Sequence, residues 1–388
     1  MIWNKKKQNA LLISEILISF LVLFAVFTLL VHNYKNYKKP MGFDYENVWL
    51  VSYNNALKTN NSDSLTLFYE TLRQTIKSLP EIKEISFVSD NVPFSNNTSQ
   101  TGLTYNKKHI NHLNLYFTED GYAAVLNIKM TEGRWFNKED LVSKNEPIVI
   151  NEKLKLQLFG NEPAAGKLFG NDDDKNNKWK VVGVVEDMKV KGDYTDAGIA
   201  VYHRADTSAF HWLGRILIKV TPTAGAAFES RLYKILNSSM KNSNVEIVHL
   251  TDTRKNINYF ALVPMIVLLI VAGFLVINVA LGLFGVLWYN INKRRGEIGL
   301  RRAVGASGNS VTKQLIGEAI VVATISLTIG SFFAIQFPLL NVFDISSVTY
   351  FIALGLSIAF IYLLVLICAF YPGRQAAAIY PAVALHED

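Results

Sequence analysis

The stretch "NKRRGEIGLRRAVGAS", residues 292–307, lies between two of the most apolar segments of the chain. It contains five cations, three glycines and one acidic residue, Glu297. A run of charge beside apolar segments can simply fix the orientation of a chain in a membrane. That role needs only cations, whereas this stretch also orders a glutamate, an isoleucine, glycines and alanines. It is therefore a candidate functional site, and the segments on either side of it decide which fold carries it.

The composition is that of a membrane protein with one sizeable polar domain. Of the 388 residues, 50% are hydrophobic and only 18% are charged. The net charge of +7 could indicate nucleic acid, but the cations are largely spread through the chain and their compact cluster adjoins apolar segments. We therefore expect no nucleic-acid partner. The single cysteine, Cys368, lies inside an apolar run, so neither a disulfide framework nor a cysteine metal site is expected.

Four segments reach the length of about 20 apolar residues that a membrane-spanning helix needs. They cover approximately residues 10–31, 259–289, 314–337 and 348–370. Pro338 and Pro372 stand just beyond the last two segments, where we expect those helices to end. The second segment is too long for a hydrocarbon core of about 30 Å, because its helical pattern runs from about Asp252 to Asn290. Its excess is expected to project outward as a stalk that Pro264 could kink.

The connections between the segments predict the orientation of the chain. The connection between the second and third segments carries six cations, whereas "PLLNVFDISS" between the third and fourth carries none. The positive-inside rule places the first connection in the cytoplasm and the second outside. With four spans, both termini are then cytoplasmic and a domain of about residues 41–257 is outside. Residues 1–40 are expected to keep the first span as an anchor, because its apolar run is too long for a signal peptide.

The external domain repeats a strand–helix–strand pattern. "VWLVSYN", "SLTLFYETLRQTIKSL" and "IKEISFVSD" form the first unit, and "RILIKVTP", "AGAAFESRLYKILNSSM" and "VEIVHLTD" form the second. Two such units commonly share one sheet, as in ferredoxin-like folds. Between them, about residues 101–200 contain short β-like runs and predict an inserted β-rich subdomain. The predicted fold class is thus a membrane protein with four transmembrane helices and an α+β extracytoplasmic domain.

The sequence contains no complete motif for catalysis, for cofactor binding or for metal binding. "GNEPAAGKL", residues 160–168, has five residues between its outer glycines where a phosphate-binding loop has four, and Leu168 replaces the required Ser or Thr. "NDDDK", residues 171–175, lacks the glycine and the distal glutamate of a calcium loop. The histidines lack metal-ligand spacing, and no nucleophile elbow occurs. We expect this chain to have no enzyme activity, no cofactor and no metal.

The opening stretch is predicted to form a short helical elbow. Lys293, Glu297 and Arg301 lie at successive i,i+4 positions, a spacing that stabilises a surface helix by about 0.2–0.5 kcal/mol per pair. Ile298, Arg301 and Arg302 would project around this helix. Gly305 and Ala306 then supply a stop, and Ser307 supplies an N-cap for the third span.

"RRGEIGLRRAVGAS", residues 294–307, strongly resembles the cytoplasmic motif of the MacB/FtsX family of ABC-transporter permease subunits, R-x-x-E-I-G-x-R-x-A-x-G-A. "MTEGRWFNKEDL", "EPIVINEKLKLQLFGNEPAAGKLFG" and "KWKVVGVVEDMKVKG" resemble successive signatures of the external domain of that family. "YPGRQAAAIYPAVALHED" resembles its tail, usually close to Y-P-A-R-R-A-A-x-x-D-P-x-E-A-L. Gly373, Gln375, Tyr380 and Ala384 depart from the tail pattern and thin its charges.

The resemblance implies a permease subunit in the bacterial cytoplasmic (inner) membrane, with an FtsX-like permease domain over residues 258–388 and a MacB-like periplasmic core domain before it. Two permease copies, as a homodimer or with a related chain, would bind a separate cytoplasmic ATPase, and a periplasmic adaptor could join them. ATP hydrolysis by that partner would move the spans and, through the stalk, the external domain. Members of the family expel antibiotics or peptides, release lipoproteins or control cell-wall hydrolases. The elbow positions that would couple to the ATPase are Arg294, Arg295, Glu297, Ile298, Gly299, Arg301, Arg302, Gly305 and Ala306.

Two points remain open at the level of sequence. Gly273, Asn278, Gly282 and Gly285 of the second span could line a dimer interface, since small residues permit close approach and asparagine can bond across helices; equally, they could face other spans of the same subunit. The alternative function is a membrane receptor, or a regulator of a cell-wall hydrolase, whose external domain binds a ligand without transporting cargo. In the third span, Glu318 is expected to play a structural role near the membrane surface.

Overall fold

The computed structural model describes residues 6–54, 59, 61–170, 172, 178–205, 213–240 and 243–378. Tyr380 and Ala384 of the tail, and all of the "NDDDK" stretch except Asp172, lie outside the described residues. The chain divides into two units, one formed by Met1–Lys35 with Leu262–Asp388 and the other by Asn36–Ala261. We call these the membrane unit and the sheet unit.

The described helices and strands follow one another along the chain with these bounds. The helices are α1 Lys6–Lys38, α2 Ser62–Lys77, α3 Tyr122–Leu126, α4 Glu152–Phe159, α5 Ala226–Ser239, α6 Leu250–Lys293, α7 Arg295–Ala303, α8 Gly308–Leu339 and α9 Ser347–Ala377. The strands are β1 Val48–Ser52, β2 Ile82–Val88, β3 Gln100–Tyr105, β4 Lys108–Thr118, β5 Met130–Gly133, β6 Glu146–Asn151, β7 Leu168–Phe169, β8 Trp179–Val185, β9 Ala200–Arg204, β10 Arg215–Val220 and β11 Glu246–His249.

Four of these helices, α1, α6, α8 and α9, are long and apolar enough to cross a membrane, as the sequence predicts. Each extends beyond its predicted span. The longest, α6, is a single helix of 44 residues that contains Pro264. At 1.5 Å per residue it measures about 66 Å, roughly twice the thickness of a hydrocarbon core.

The prediction that Pro372 stands beyond the fourth span is wrong. Pro372 lies inside α9, which continues to Ala377, whereas α8 ends at Leu339, directly after Pro338. A proline removes one helical hydrogen bond and crowds the preceding turn. Here the turn after Pro372 is held from outside the helix, because the hydroxyl of Thr312 in α8 donates to the carbonyl of Gly373 at 2.9 Å.

Close packing of α1 against the other helices forms the core of the membrane unit. Ile16 and Phe20 of α1 are fully buried, and a Cβ atom at Gly330 of α8 would collide with the ring of Phe20. By contrast, only 6% of the most apolar 18-residue stretch of α6 is buried. A helix that is apolar on all sides and exposed within its own subunit suits contact with lipid or with a second apolar surface.

The described strands of the sheet unit form one sheet in the order β11-β1-β10-β2-β4-β9-β6-β8-β5, with β3 paired to β4 and β7 paired to β8. The first four strands in this order come from the two units β1–α2–β2 and β10–α5–β11. Their interleaving confirms that the two predicted strand–helix–strand units share a sheet. One face of that sheet packs against both helices, in a core that includes Leu72 and Ile76 of α2 and Leu232 and Leu236 of α5.

The strands that lie between the two strand–helix–strand units along the chain continue the same sheet. Their link to the first four strands is a single ladder pair, Val88 with Thr118. Beyond it, β4 and β9 run parallel, as do β6 and β8. This part has its own core around Ile148, Leu154 and Val201, and it includes the helix α4 as well as strands.

Candidate functional site

The stretch 292–307 forms the predicted elbow. The helix α6 ends at Lys293, and α7 begins two residues later at Arg295. After α7, Gly305 adopts φ = +103°, and the side chain of Ser307 accepts a hydrogen bond from the amide of Ser310 as the N-cap of α8. A Cβ atom at Gly305 would meet nothing within 4 Å. The elbow therefore needs glycine there for its backbone conformation and not for space.

The inner face of α7 is apolar and buried. Ile298 is 6% exposed and packs with Ile291 of α6, Val311 and Leu315 of α8 and Ala376 of α9. The prediction that Ile298 projects from the elbow is therefore wrong, and the neighbouring Gly299 is buried as well. Four apolar partners from three helices outweigh the polar character of the surrounding sequence, so these two positions pack inside the subunit and hold the elbow in place.

A ring of charged and polar side chains fixes the same elbow to α8. The Nη1 atom of Arg294 lies 3.1 and 3.2 Å from the two carboxylate oxygens of Glu318. Arg301 donates to Gln314 at 2.8 Å and pairs with Glu297 at 2.5 Å. The ring closes because Gln314 donates to Glu318 at 3.4 Å and Arg294 lies 4.0 Å from Glu297. Glu318 thus anchors the elbow to the third span.

The predicted pair of Lys293 with Glu297 is wrong. Arg294, not Lys293, is the cation on that side of Glu297, at 4.0 Å. The i,i+4 rule applies within one helix. Since α6 ends at Lys293 and α7 starts at Arg295, the two residues do not share a helical face.

Contacts to α9 hold the far end of the elbow. The guanidinium of Arg302 donates to the carbonyl oxygen of Ala377, in the last turn of α9. A cation at this position satisfies a terminal carbonyl and opposes the negative end of the helix dipole. Gly308 permits the close approach, because a Cβ atom there would lie 3.1 Å from the Cβ of Ala377.

The outer face of the elbow carries an exposed apolar pair that the sequence analysis missed. Leu300 is 56% exposed and Val304 is 83% exposed, one helical turn apart. Gly296, one turn earlier, is also exposed. The available signal was the i,i+4 spacing of these residues opposite the buried Ile298. We call Gly296, Leu300 and Val304 the outer stripe; it is an apolar surface among cations, on a helix that is fixed from behind.

The structure separates the four residues considered for a dimer interface. A Cβ atom at Gly282 would lie 2.6 Å from the carboxylate of Glu15 in α1, so Gly282 faces the first span of its own subunit. Gly273 and Gly285 face open space within the described structure. The side-chain amide of Asn278 donates to the carbonyl of Phe274 in its own helix at 2.8 Å.

A second polar cluster occupies the loop between β8 and β9 of the sheet unit. Asp193, whose side chain is 8% exposed, accepts two hydrogen bonds from Arg254 of α6, at 3.0 and 2.6 Å. It also accepts from the amide of Asn258 at 2.9 Å, and its own backbone N–H donates to Asn258 at 2.9 Å. At Gly192, where φ is +101°, a Cβ atom would lie 2.6 Å from Asn258. The first turns of α6 therefore grip this loop.

The same loop is bonded to the last turn of α1. The ammonium of Lys189 donates to the carbonyls of Asn36 at 2.8 Å and Asp193 at 3.2 Å, and burial lowers the pKa of Lys189. Asn36 donates to the carbonyl of Tyr194, and the rings of Tyr37 and Tyr194 stack at 5.9 Å. We call residues 189–196 the clasp, because they join the end of α1 to the start of α6. No local pattern in residues 178–192 predicts this contact, because its partners lie far apart in the chain.

Comparison with known proteins adds two family matches. The family described as MacB-like periplasmic core domain matches residues 10–233, and the one described as FtsX-like permease C-terminal matches residues 252–381. Among the described residues, no group of three or more histidine, cysteine or acidic side chains is placed to hold a metal ion.

Individual relatives resemble the chain at lower identity. A "Macrolide export ATP-binding/permease protein MacB" of Aggregatibacter actinomycetemcomitans is 24% identical over 243 residues, covering 60% of this chain and 37% of the relative. The protein of the same description from Neisseria gonorrhoeae is 24% identical over 346 residues, covering 81% and 49%. The chain thus spans between about a third and a half of the length of these curated relatives. The crystal structure of the periplasmic region of MacB from Actinobacillus actinomycetemcomitans aligns with a TM-score of 0.39 and 19% identity, over 58% of this chain and 98% of that one.

Proposed function

This chain belongs to the MacB/FtsX family of ABC-transporter permeases, and from that premise we propose that it couples ATP hydrolysis by a separate cytoplasmic ATPase to movement of its external domain. The observation that carries the proposal is the elbow, which α8 and α9 hold from behind while the outer stripe stays exposed. A helix that is fixed at its base can pass on a force applied to its free face. A second permease copy, of the same or a related chain, would complete the transporter.

Two features support a mechanical path from the elbow to the sheet. The helix α6 runs without interruption from Leu250 to Lys293, and its first turns bond directly to the clasp. The clasp is continuous with β8 and β9, so a displacement of α6 against α1 would load the sheet at these strands. Because relatives are described as macrolide exporters, we propose efflux of antibiotics, peptides or lipid-linked cargo as the use of this motion.

The first test concerns the outer stripe. Replacing Leu300 and Val304 together by serine is expected to lower the amount of ATPase that co-purifies with the permease from native membranes at least tenfold. Burial of each apolar side chain on docking contributes about 1.5–3 kcal/mol, whereas their loss costs the free subunit little because they are exposed. The midpoint temperature of thermal unfolding of the purified permease should change by less than a few degrees.

The matched control is the adjacent pair Leu141→Ser with Val142→Ser in the sheet unit, where the side chains are 63% and 90% exposed. This variant should retain the ATPase. Equal retention by both double variants would mean that the stripe is not a docking surface. A co-purifying kinase in place of an ATPase would support a receptor.

The second test concerns orientation. In a background in which Cys368 is replaced by alanine, Ser143→Cys and Ser346→Cys are expected to react with a membrane-impermeant thiol reagent in intact spheroplasts, and Ser307→Cys is not. The expectation follows from the excess of cations around the elbow. Labelling at position 307 comparable to that at position 143 would show that the elbow lies outside the cytoplasm. That result would contradict the proposed coupling to a cytoplasmic ATPase.

A further inference from the structure

The strand β11 is an end strand of the described sheet. It pairs with β1 on one side, and no other described strand pairs with it. In an antiparallel ladder, successive residues turn their N–H and C=O groups to opposite sides. Two of the four residues of β11 therefore direct these groups away from β1, towards an open edge.

The two ends of the sheet differ in how they are protected. At the other end, β5 has a register shift against β8 and finishes at Gly133, where φ is +63°. Bulges of this kind disrupt an edge and hinder pairing with another chain. The sequence of β11, "EIVH", contains neither lysine nor proline, and its register with β1 is unbroken. Of these two ends, the β11 edge is thus the one that remains able to pair.

A groove of about 470 Å³ runs between this edge and α5. Its lining residues are Ala226, Glu229, Ser230 and Tyr233 of α5 and Val245, Glu246 and Ile247 at the strand. Ala226 and Ser230 are small and exposed, which leaves room for a peptide backbone beside the strand. Tyr233, 45% exposed, offers an aromatic surface to side chains of an added strand.

The charges around the groove favour a cationic occupant. Among the described residues, the two charged side chains that line it are both acidic, Glu229 and Glu246, and no lysine or arginine lines it. The carboxylate of Glu229 lies 3.0 Å from the imidazole of His249, and its side chain is partly exposed, so a cation of the occupant can reach it. A second copy of the same groove would instead bring like charges together, which costs free energy.

We propose that this groove binds an extended, lysine- or arginine-bearing segment of a partner protein, which adds to the sheet as a strand beside β11. Main-chain hydrogen bonds supply affinity in this mode, and alternate side chains supply specificity. The strand ends at His249 and α6 begins at Leu250. An added strand would therefore stabilise the residues that directly precede α6. Binding of the partner would then affect the start of the helix that leads to the elbow.

The experiment measures binding of a fluorescent octapeptide of alternating lysine and valine to the full chain in detergent. Two further peptides carry glutamate in place of lysine, or N-methyl groups on alternate backbone amides. We expect saturable binding of the first peptide and at least tenfold weaker binding of the other two. Ser230→Trp, which fills the groove from an exposed position, should weaken binding at least tenfold. Lys234→Trp, an exposed position of α5 outside the groove, should change it less than twofold.

Four results would overturn the proposal. Three of them are the absence of saturable binding, equal binding of the N-methylated peptide, and equal binding to the Ser230→Trp variant. A fourth is efficient disulfide dimerisation of a Glu246→Cys variant in membranes, which would show that a second copy occupies the edge. The binding readout uses neither ATPase nor cargo, so its failure leaves the proposed function intact.

Discussion

Asp193→Ala is expected to lower the free energy of unfolding by about 3–5 kcal/mol, the largest loss that we predict for any single change in the chain. The carboxylate is 8% exposed and accepts three side-chain hydrogen bonds, two of them from Arg254. Its removal leaves a partly buried guanidinium without its partner, and breaking a buried ion pair in this way carries a cost of about that size. Thermal unfolding of the full chain in detergent measures the loss.

The matched control is Asp196→Ala in the same clasp. Asp196 pairs with Lys39 and Lys153, but its side chain is 46% exposed. Exposed ion pairs contribute about 0–1 kcal/mol. The free energy of unfolding of this variant should therefore lie close to that of the parent protein. Hydrogen exchange over residues 189–196 should accelerate strongly in the Asp193 variant and little in the control. Equal losses in the two variants would show that the buried contacts of Asp193 do not hold the clasp.

Glu318→Ala is the second large effect, with an expected loss of about 2–3 kcal/mol. Arg294 has a side-chain exposure of 17% and directs one nitrogen to both oxygens of Glu318. Without that carboxylate, the mostly buried charge of Arg294 keeps only the weaker contact with Glu297 at 4.0 Å among the described acidic side chains. Because the elbow then loses one of its polar ties to α8, we also expect the ATPase to bind more weakly.

A double replacement distinguishes the loss of the whole ion pair from the loss of one of its partners. Arg294 and Glu318 are 17% and 35% exposed, so the pair is partly buried. Arg294→Met combined with Glu318→Leu should recover most of the lost stability, since an apolar pair of similar volume can replace such an ion pair at little cost. Glu297→Ala is the control, because Glu297 and Arg301 are 41% and 42% exposed and their i,i+4 pair contributes only a few tenths of a kcal/mol. If Glu297→Ala is as harmful as Glu318→Ala, the link to α8 is not what stabilises the elbow.

Much of the architecture depends on local properties of the chain and is therefore predictable from sequence. Four long apolar runs, two strand–helix–strand units and the glycine-terminated elbow all follow from hydrophobic periodicity, turn chemistry and backbone preference. Gly305 and Ser307 illustrate this, because positive φ and an N-cap involve only residues a few positions apart. The family resemblance was predictable for the same reason, since its motif is contiguous.

The pairing of side chains was not predictable, because it depends on segments that are far apart in the chain. Glu318 meets Arg294 across 24 residues, and Asp193 meets Arg254 across 61. Local rules instead selected Lys293 as the partner of Glu297 and placed Ile298 on the surface. Both predictions failed because the end of α6 and the packing of α8 and α9 decide which face of α7 is turned inward.

The sequence by itself determined which segments are long and apolar enough to cross a membrane, which strand–helix–strand units build the sheet and where the elbow turns, since each rests on hydropathy, period or backbone freedom within a short window. Only the tertiary structure decided that the clasp joins α1 to α6, that Gly282 faces the first span, and that Leu300 and Val304 remain exposed. These features are set by which surfaces exclude water from one another. That outcome depends on the arrangement of whole helices and strands, which no short window of sequence contains.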